Sequence, residues 1–128
     1  MAFVYYNANP MEKSVGDCTV RAISTVLNKS WDEVFIGLAV FDYLNKDMPS
    51  GNKVWHEYLE ANGYTKYSIP DDYPNCYTVL DFSKDYPVGS FILGTGEHVI
   101  AVIDGNYYDT WDSGDEIPAF YWKKRKEI

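Results

Sequence analysis

The apolar pattern of the sequence changes its period once, near Pro87, and this change most constrains the fold. Before it, apolar residues recur at helical spacing in three segments, 20–27, 31–41 and 54–59. After it come short β-branched or aromatic runs separated by glycine-containing turns, at 90–93, 99–104 and 107–112. Helices followed by antiparallel strands are typical of an α+β domain. The sequence therefore predicts N-terminal helices packed on a C-terminal antiparallel sheet.

The length of the chain limits how many domains it forms. At 128 residues it is long enough for one hydrophobic core and too short for two ordinary ones. Further short elements complete the pattern, with a helix at 78–84 and strands at 3–6, 64–69 and 119–123. We expect a single domain over 1–128.

Charge and composition exclude several classes of partner. The net charge of −8 argues against nucleic acid or an anionic membrane, because both need a cationic face. No N-terminal run fits a signal peptide, and no stretch approaches the roughly 18 apolar residues of a membrane helix. We expect a soluble, cytoplasmic protein whose two cysteines are free thiols. Two cysteines and two histidines at separated positions lack metal-ligand spacing, so neither metal nor other cofactor is expected.

Cys18 is the candidate nucleophile, because it lies in the first turn of the helix predicted after Gly16-Asp17. A helix N-terminus offers partial positive charge and free N–H groups, which lower the pKa of a thiol. The alternative role is that of a buried structural cysteine. Cys76 lies in a polar turn with no helix beginning at it, and we expect no chemistry there.

His98 is the candidate general base. It opens a predicted strand directly after the 94–97 loop, so its ring can point from the end of the sheet toward another element. His56 lies inside a predicted helix, where a half-buried or solvated role is expected. A helix-opening cysteine followed later by a strand-opening histidine predicts a Cys–His pair.

Three stretches around these residues carry a resemblance to a known family. They read Asp-Cys-Thr-Val-Arg-Ala-Ile at 17–23, Tyr-Pro-Val-Gly-Ser-Phe-Ile-Leu at 86–93 and Gly-Glu-His-Val-Ile-Ala-Val at 96–102. They resemble the leader-peptide-cleaving cysteine peptidase domains of bacteriocin-exporting ABC transporters, and short stand-alone bacterial or phage proteins of that type. The resemblance implies a papain-like fold, a peptide or protein substrate, and thiol protease activity by Cys18 and His98.

The oxyanion hole departs from the pattern of that family. The family carries a glutamine six residues before its cysteine, and its amide helps to build the hole. Glu12 occupies that position here, and a carboxylate would repel a developing oxyanion. Asn9 or Asn7 would supply an amide instead if the N-terminal arm loops back over the site, and we take Asn9 as the candidate. The backbone N–H of Cys18 is a second donor.

The imidazole needs an acceptor that fixes its orientation, and the next strand offers two aspartates. A three-residue hairpin loop at 104–106 places His98 opposite Asp112, whereas a two-residue loop displaces Asp112 by one position. In the first register Asp109 lies roughly 10–13 Å along the ladder from His98. We therefore predict the catalytic triad Cys18, His98 and Asp112. Asp109 is the alternative third member if the register shifts.

Three functions fit these residues. The first is a cysteine hydrolase, a peptidase or an amide or isopeptide hydrolase. The second is a transglutaminase-like acyl transferase on the same fold, in which an amine replaces water as acceptor. The third is a phage-encoded binding or inhibitor module whose catalytic residues are unused. A pure binder has no need of a Cys, a His and a suitably placed Asp together, so the sequence favours the hydrolase.

Overall fold

The computed structural model of the chain describes residues 3–47, 52–70 and 74–125. Its helices are α1 (Cys18–Leu27), α2 (Trp31–Asn45), α3 (Asn52–Ala61) and α4 (Val79–Asp85). Its strands are β1 (Phe3–Tyr5), β2 (Tyr64–Ser68), β3 (Ser90–Gly94), β4 (Val99–Ile103), β5 (Asn106–Asp109) and β6 (Phe120–Lys124). The α+β class is confirmed. Across the three described ranges, no helix combines the length and apolar character needed to cross a membrane.

The sheet is mixed, which corrects the prediction of an antiparallel sheet. Its six strands lie in the order β1-β5-β4-β3-β6-β2. β1 pairs with β5 in parallel, while the other neighbours are antiparallel. A tight hairpin joins only antiparallel strands, but β1 and β5 are separated by most of the chain and are free to pair in parallel. Two of the six strands, β1 and β2, therefore come from the helical half of the sequence.

The helices α1 and α2 differ in whether the N-cap side chain makes a capping hydrogen bond. α2 has Ser30 as its N-cap, and the Ser30 hydroxyl accepts from the Glu33 backbone N–H at 3.0 Å. α1 begins at Cys18, as predicted, and its N-cap is Asp17. The Asp17 side chain makes no capping hydrogen bond, since its carboxylate is engaged by side chains elsewhere.

Helices cover both faces of the central strands. One apolar cluster joins α1, α2 and α3 to the sheet, and includes Ile23, Leu38, Leu59, Ile92 and Trp122. A second cluster joins α4 to the sheet, and includes Val79, Phe82, Phe91, Ile100 and Val102. Burial on both faces explains why β3 and β4 are apolar throughout rather than alternating. The N-terminal end of α1 is thereby fixed against β4.

The outer face of α2 remains apolar. Its exposed side chains include Ile36, Val40, Tyr43 and Leu44, which expose between 50% and 70% of their surface. These positions recur at helical spacing and lie opposite the buried Val34 and Leu38. α2 therefore presents an apolar stripe to solvent as well as to the core.

The turn between β4 and β5 sets the register that positions the candidate site. Asp104 has φ 49° and Gly105 has φ 78°, the pair of positive values that a two-residue type I′ turn requires. Ile103 consequently pairs with Asn106, and Ala101 with Tyr108. The prediction of a three-residue loop is therefore wrong: the loop has two residues, and the strand register differs by one position from the predicted one.

Replacing Gly105 by alanine is expected to lower the free energy of unfolding by about 1–2 kcal/mol, because a Cβ at positive φ meets the backbone carbonyl. Urea denaturation measures the change. Gly16→Ala is the matched control, since no atom lies within 4 Å of a Cβ built there, and its stability should stay the same or rise slightly. Equal losses in both variants would contradict the role assigned to the turn.

Candidate active site

The fold brings Cys18 and His98 together at the end of the sheet where β4 begins. Cys18 is the first residue of α1, and His98 immediately precedes β4. His98 and the backbone of Val99 are near enough to the Cys18 thiol to lower its pKa. The backbone N–H of His98 donates to the Thr95 hydroxyl at 2.9 Å. The candidate nucleophile and the candidate base are therefore neighbours in the fold.

Asp109 is the carboxylate that faces the histidine. His98 Nε2 lies 2.6 Å from Asp109 Oδ2, which leaves Nδ1 as the ring nitrogen for the thiol. Asp109 Oδ2 also accepts from the Ser113 hydroxyl at 2.8 Å, and Oδ1 accepts from the Thr110 N–H at 2.8 Å and from Arg21 at 3.2 Å. The side chain is 2% exposed. Each carboxylate oxygen thus has two partners.

The predicted contact between His98 and Asp112 does not form. Asp112 is exposed, and its Oδ1 accepts from the Tyr107 hydroxyl at 2.6 Å and from the Gly114 N–H at 3.0 Å. A carboxylate that binds the backbone two residues further on is typical of an Asx turn. Asp112 therefore closes the loop after β5 and takes no part in orienting the imidazole.

The register of the hairpin explains the correction. Because Ile103 pairs with Asn106, continuation of the ladder places Asp109 opposite Ile100 rather than opposite Ala101. His98 lies two positions before Ile100, so His98 and Asp109 are diagonal neighbours on one side of the ladder. Diagonal neighbours are separated by about 7–8 Å between backbones, which a histidine and an aspartate span together.

An ion-pair network extends from Asp109 back to the start of α1. Arg21 Nε donates to Asp17 Oδ1 at 2.8 Å, and Arg21 Nη1 donates to Asp109 Oδ1 at 3.2 Å. Asp17 Oδ2 accepts from the Trp31 indole N–H at 2.9 Å. The side chains of Asp17 and Arg21 are 7% and 12% exposed. The residue before the nucleophile and the partner of the base are thus joined by one arginine.

Asn9 lies beside this network, because the N-terminal arm returns to the start of α1. Asn9 is buried, and its Nδ2 donates to Asp17 Oδ2 at 3.4 Å. Its Oδ1 accepts from the Met11 N–H at 2.9 Å, which points the amide nitrogen toward α1. The Asn7 amide nitrogen instead donates to the Lys13 carbonyl at 3.3 Å. Of the two asparagines, Asn9 is the one held next to Asp17, and its oxyanion role stays a prediction.

A cleft of about 340 Å³ adjoins the triad, and its wall includes Asp17, Arg21, Thr110 and Trp111. The Trp111 ring lies 5.0 Å from the His98 ring, centroid to centroid, and remains 47% exposed. Residues of the N-terminal arm, Glu12 among them, complete the wall of the cleft. The Trp111 indole therefore packs near the imidazole and also lines the cleft.

The electrostatics of the site favour a charged pair. Burial opposes ionisation of Cys18, but hydrogen bonds from His98 and Val99 and the positive charges of His98 and Arg21 outweigh it, so its pKa is lowered. Burial likewise opposes the imidazolium, yet the contacts with Asp109 and Cys18 raise the pKa of His98 to about 9. Burial of Asp109 is outweighed in the same way by His98 and Ser113, so its pKa is lowered. The surroundings of the three side chains therefore favour the ionised form of each one.

The other histidine and cysteine lie apart from this site. His56 sits among the rings of Trp55, Phe120 and Trp122, and burial together with the charge of Lys66 lowers its pKa to about 4. Cys76 is a free thiol at φ 51°, three residues before α4 begins at Val79.

Two kinds of site residue were not named from the sequence. Asp17 and Arg21 belong to the 17–23 stretch, and no role is predicted for either side chain. Their i,i+4 spacing on a helix nevertheless indicates an ion pair. The sequence gives no local signal for the contacts of Thr110 and Ser113 with Asp109, because these donors meet the carboxylate only in the folded loop.

Comparisons of the chain with protein-family models, curated proteins and solved structures give no significant match. Among the described residues, no group of three or more His, Cys, Asp or Glu side chains could hold a metal ion.

Asp109→Asn is expected to slow alkylation of Cys18 by iodoacetamide about tenfold at neutral pH. Without the carboxylate the imidazolium of His98 loses its proton more readily, and a neutral imidazole stabilises the Cys18 thiolate less. Asp112→Asn is the matched control and should change the rate less than about twofold, since Asp112 contacts neither residue of the pair. Mass spectrometry of the labelled peptides gives both rates. Slowing in Asp112→Asn alone would contradict the assignment.

The two histidines should titrate far apart in an NMR pH series, His98 near 9 and His56 near 4. The folded pKa of His98 is raised above its ordinary 6.5, so its pairing stabilises the fold fully below 6.5. That stabilisation is lost as the pH rises through about 9. Asp109→Asn should move the His98 pKa downward and leave His56 unchanged, and an unmoved His98 would contradict the ion pair.

Proposed function

We propose that the chain is a papain-like cysteine hydrolase that cleaves an amide or isopeptide bond in a peptide or protein. The observation that carries this proposal is that His98 Nε2 lies 2.6 Å from the buried Asp109 carboxylate, while the same imidazole neighbours the Cys18 thiol at the start of α1 and lowers its pKa. Cys18 acts as nucleophile, His98 as proton carrier and Asp109 as the group that orients the imidazole. This assignment replaces Asp112 by Asp109 in the triad expected from the sequence.

The first half of the reaction begins from the thiolate–imidazolium pair. The Cys18 sulfur forms a bond with the carbonyl carbon, and the carbonyl oxygen becomes an oxyanion. His98 then delivers its proton to the nitrogen of the leaving group, the C–N bond breaks, and an amine departs. Asp109 keeps its charge throughout and stabilises the imidazolium before that transfer.

The second half restores the enzyme. Water enters in place of the amine, His98 takes one of its protons, and the oxygen attacks the thioester carbonyl. The C–S bond breaks, a carboxylic acid leaves, and the thiolate–imidazolium pair is regenerated. An amine entering instead of water would give acyl transfer with the same groups, so the nature of the products distinguishes hydrolase from transferase.

Donors for the oxyanion are available at the start of α1. The first N–H groups of a helix have no intrahelical acceptor, and Cys18 opens α1. A developing anion beside them also benefits from the helix dipole. Asn9 is the candidate side-chain donor, since it is held beside Asp17. Glu12 lies across the adjoining cleft and supplies no amide.

Site-resolved labelling tests the proposal. Cys18 should react with iodoacetamide at about pH 6 at least tenfold faster than Cys76, because a lowered pKa increases the fraction of the Cys18 thiol that is ionised at a given pH. A peptide vinyl sulfone should modify Cys18 alone, and mass spectrometry locates the adduct.

His98→Gln is the matched variant for this test, since it retains a polar side chain and removes the proton carrier. It should abolish the selectivity for Cys18, whereas His56→Gln should retain it. Equal reactivity of Cys18 and Cys76 in the unmodified chain would refute the activated nucleophile. Labelling without turnover of any peptide amide, ester or isopeptide substrate would leave only a binding role.

A further inference from the structure

We infer that Arg21 is a positioning residue of this site, which fixes Asp109 against His98 and neutralises Asp17 beside the nucleophile. The inference rests on the proposed function, because the reactivity of Cys18 is its readout. The arginine touches none of the three reacting side chains except Asp109, and acts through its two carboxylate partners.

The geometry gives Arg21 two carboxylate partners, Asp17 and Asp109. Its Nε lies 2.8 Å from Asp17 Oδ1, and its Nη1 lies 3.2 Å from both Asp109 Oδ1 and Thr110 Oγ1. Asp17 belongs to the start of α1, and Asp109 to the end of β5. A planar guanidinium with several fixed donors can bridge two such groups, whereas an ammonium acts as a single point charge.

Arg21 offsets the repulsion between the Asp17 carboxylate and a thiolate at Cys18. Asp17 directly precedes Cys18, and its side chain is 7% exposed, so its charge is weakly screened by water. An unneutralised carboxylate there would raise the free energy of the thiolate. The ion pair with Arg21 cancels that repulsion, and the Arg21 charge itself lowers the pKa of Cys18.

Asp109 depends on Arg21 in a different way. The carboxylate is almost fully buried and keeps its charge only while donors surround it. Arg21 is the donor that ties it to α1, the helix carrying the nucleophile. The arginine therefore links the position of the base to the position of the thiol across two elements distant in sequence.

The test measures Cys18 alkylation against pH in the full chain, with iodoacetamide and site-resolved mass spectrometry. Arg21→Met should shift the profile to higher pH, so that the rate near pH 6 falls about tenfold while the rates converge near pH 10. Arg21→Lys should give an intermediate profile, because it keeps the charge and loses the bridge. A purely structural defect would change the rates at all pH values.

Arg125→Met is the matched control, since Arg125 is the only other arginine of the chain and donates to the backbone carbonyls of Tyr64 and Glu60. Its profile should coincide with that of the unmodified chain. An unshifted profile in whichever Arg21 variant folds overturns the inference. An ordinary thiol profile in the unmodified chain would instead overturn the proposed function, so the two failures are distinguishable.

Discussion

Three separate parts of the chain meet at the carboxylate of Asp109. Its partners come from the residue before β4, from α1 and from the loop that follows β5. A buried carboxylate without partners is costly, so each of these segments is held in place by the same charge. Removal of any one donor leaves the remaining three to balance a full negative charge. The arrangement of the site is therefore a consequence of satisfying one buried anion.

The elements could be predicted from the sequence because their signals are local. Apolar residues at helical spacing over 31–41 predict α2, and the β-branched runs predict β3 and β4. The start of α1 at Cys18 was likewise predicted from the residues beside it. Such signals depend on a few neighbouring residues, and the tertiary contacts of this fold do not change the elements that they predict.

The parts that were missed depend on contacts between distant residues. Asp104, Gly105 and Asn106 all suit a tight turn, so composition alone does not separate a two-residue from a three-residue loop. A shift by one residue then exchanges the roles of Asp109 and Asp112. The parallel pairing of β1 and the contact of Arg21 with Asp109 join residues about a hundred positions apart, and no local pattern encodes either one.

The apolar stripe on α2 and the net charge of the chain have opposite effects on contact between two copies of the protein. Two copies that approach through Ile36 and Leu44 would bury apolar surface, while the excess of eight negative charges pushes them apart. That repulsion reaches about 30 Å in dilute buffer but only about 8 Å at physiological salt. Raising the ionic strength therefore weakens the charge repulsion that opposes contact between two copies through this stripe.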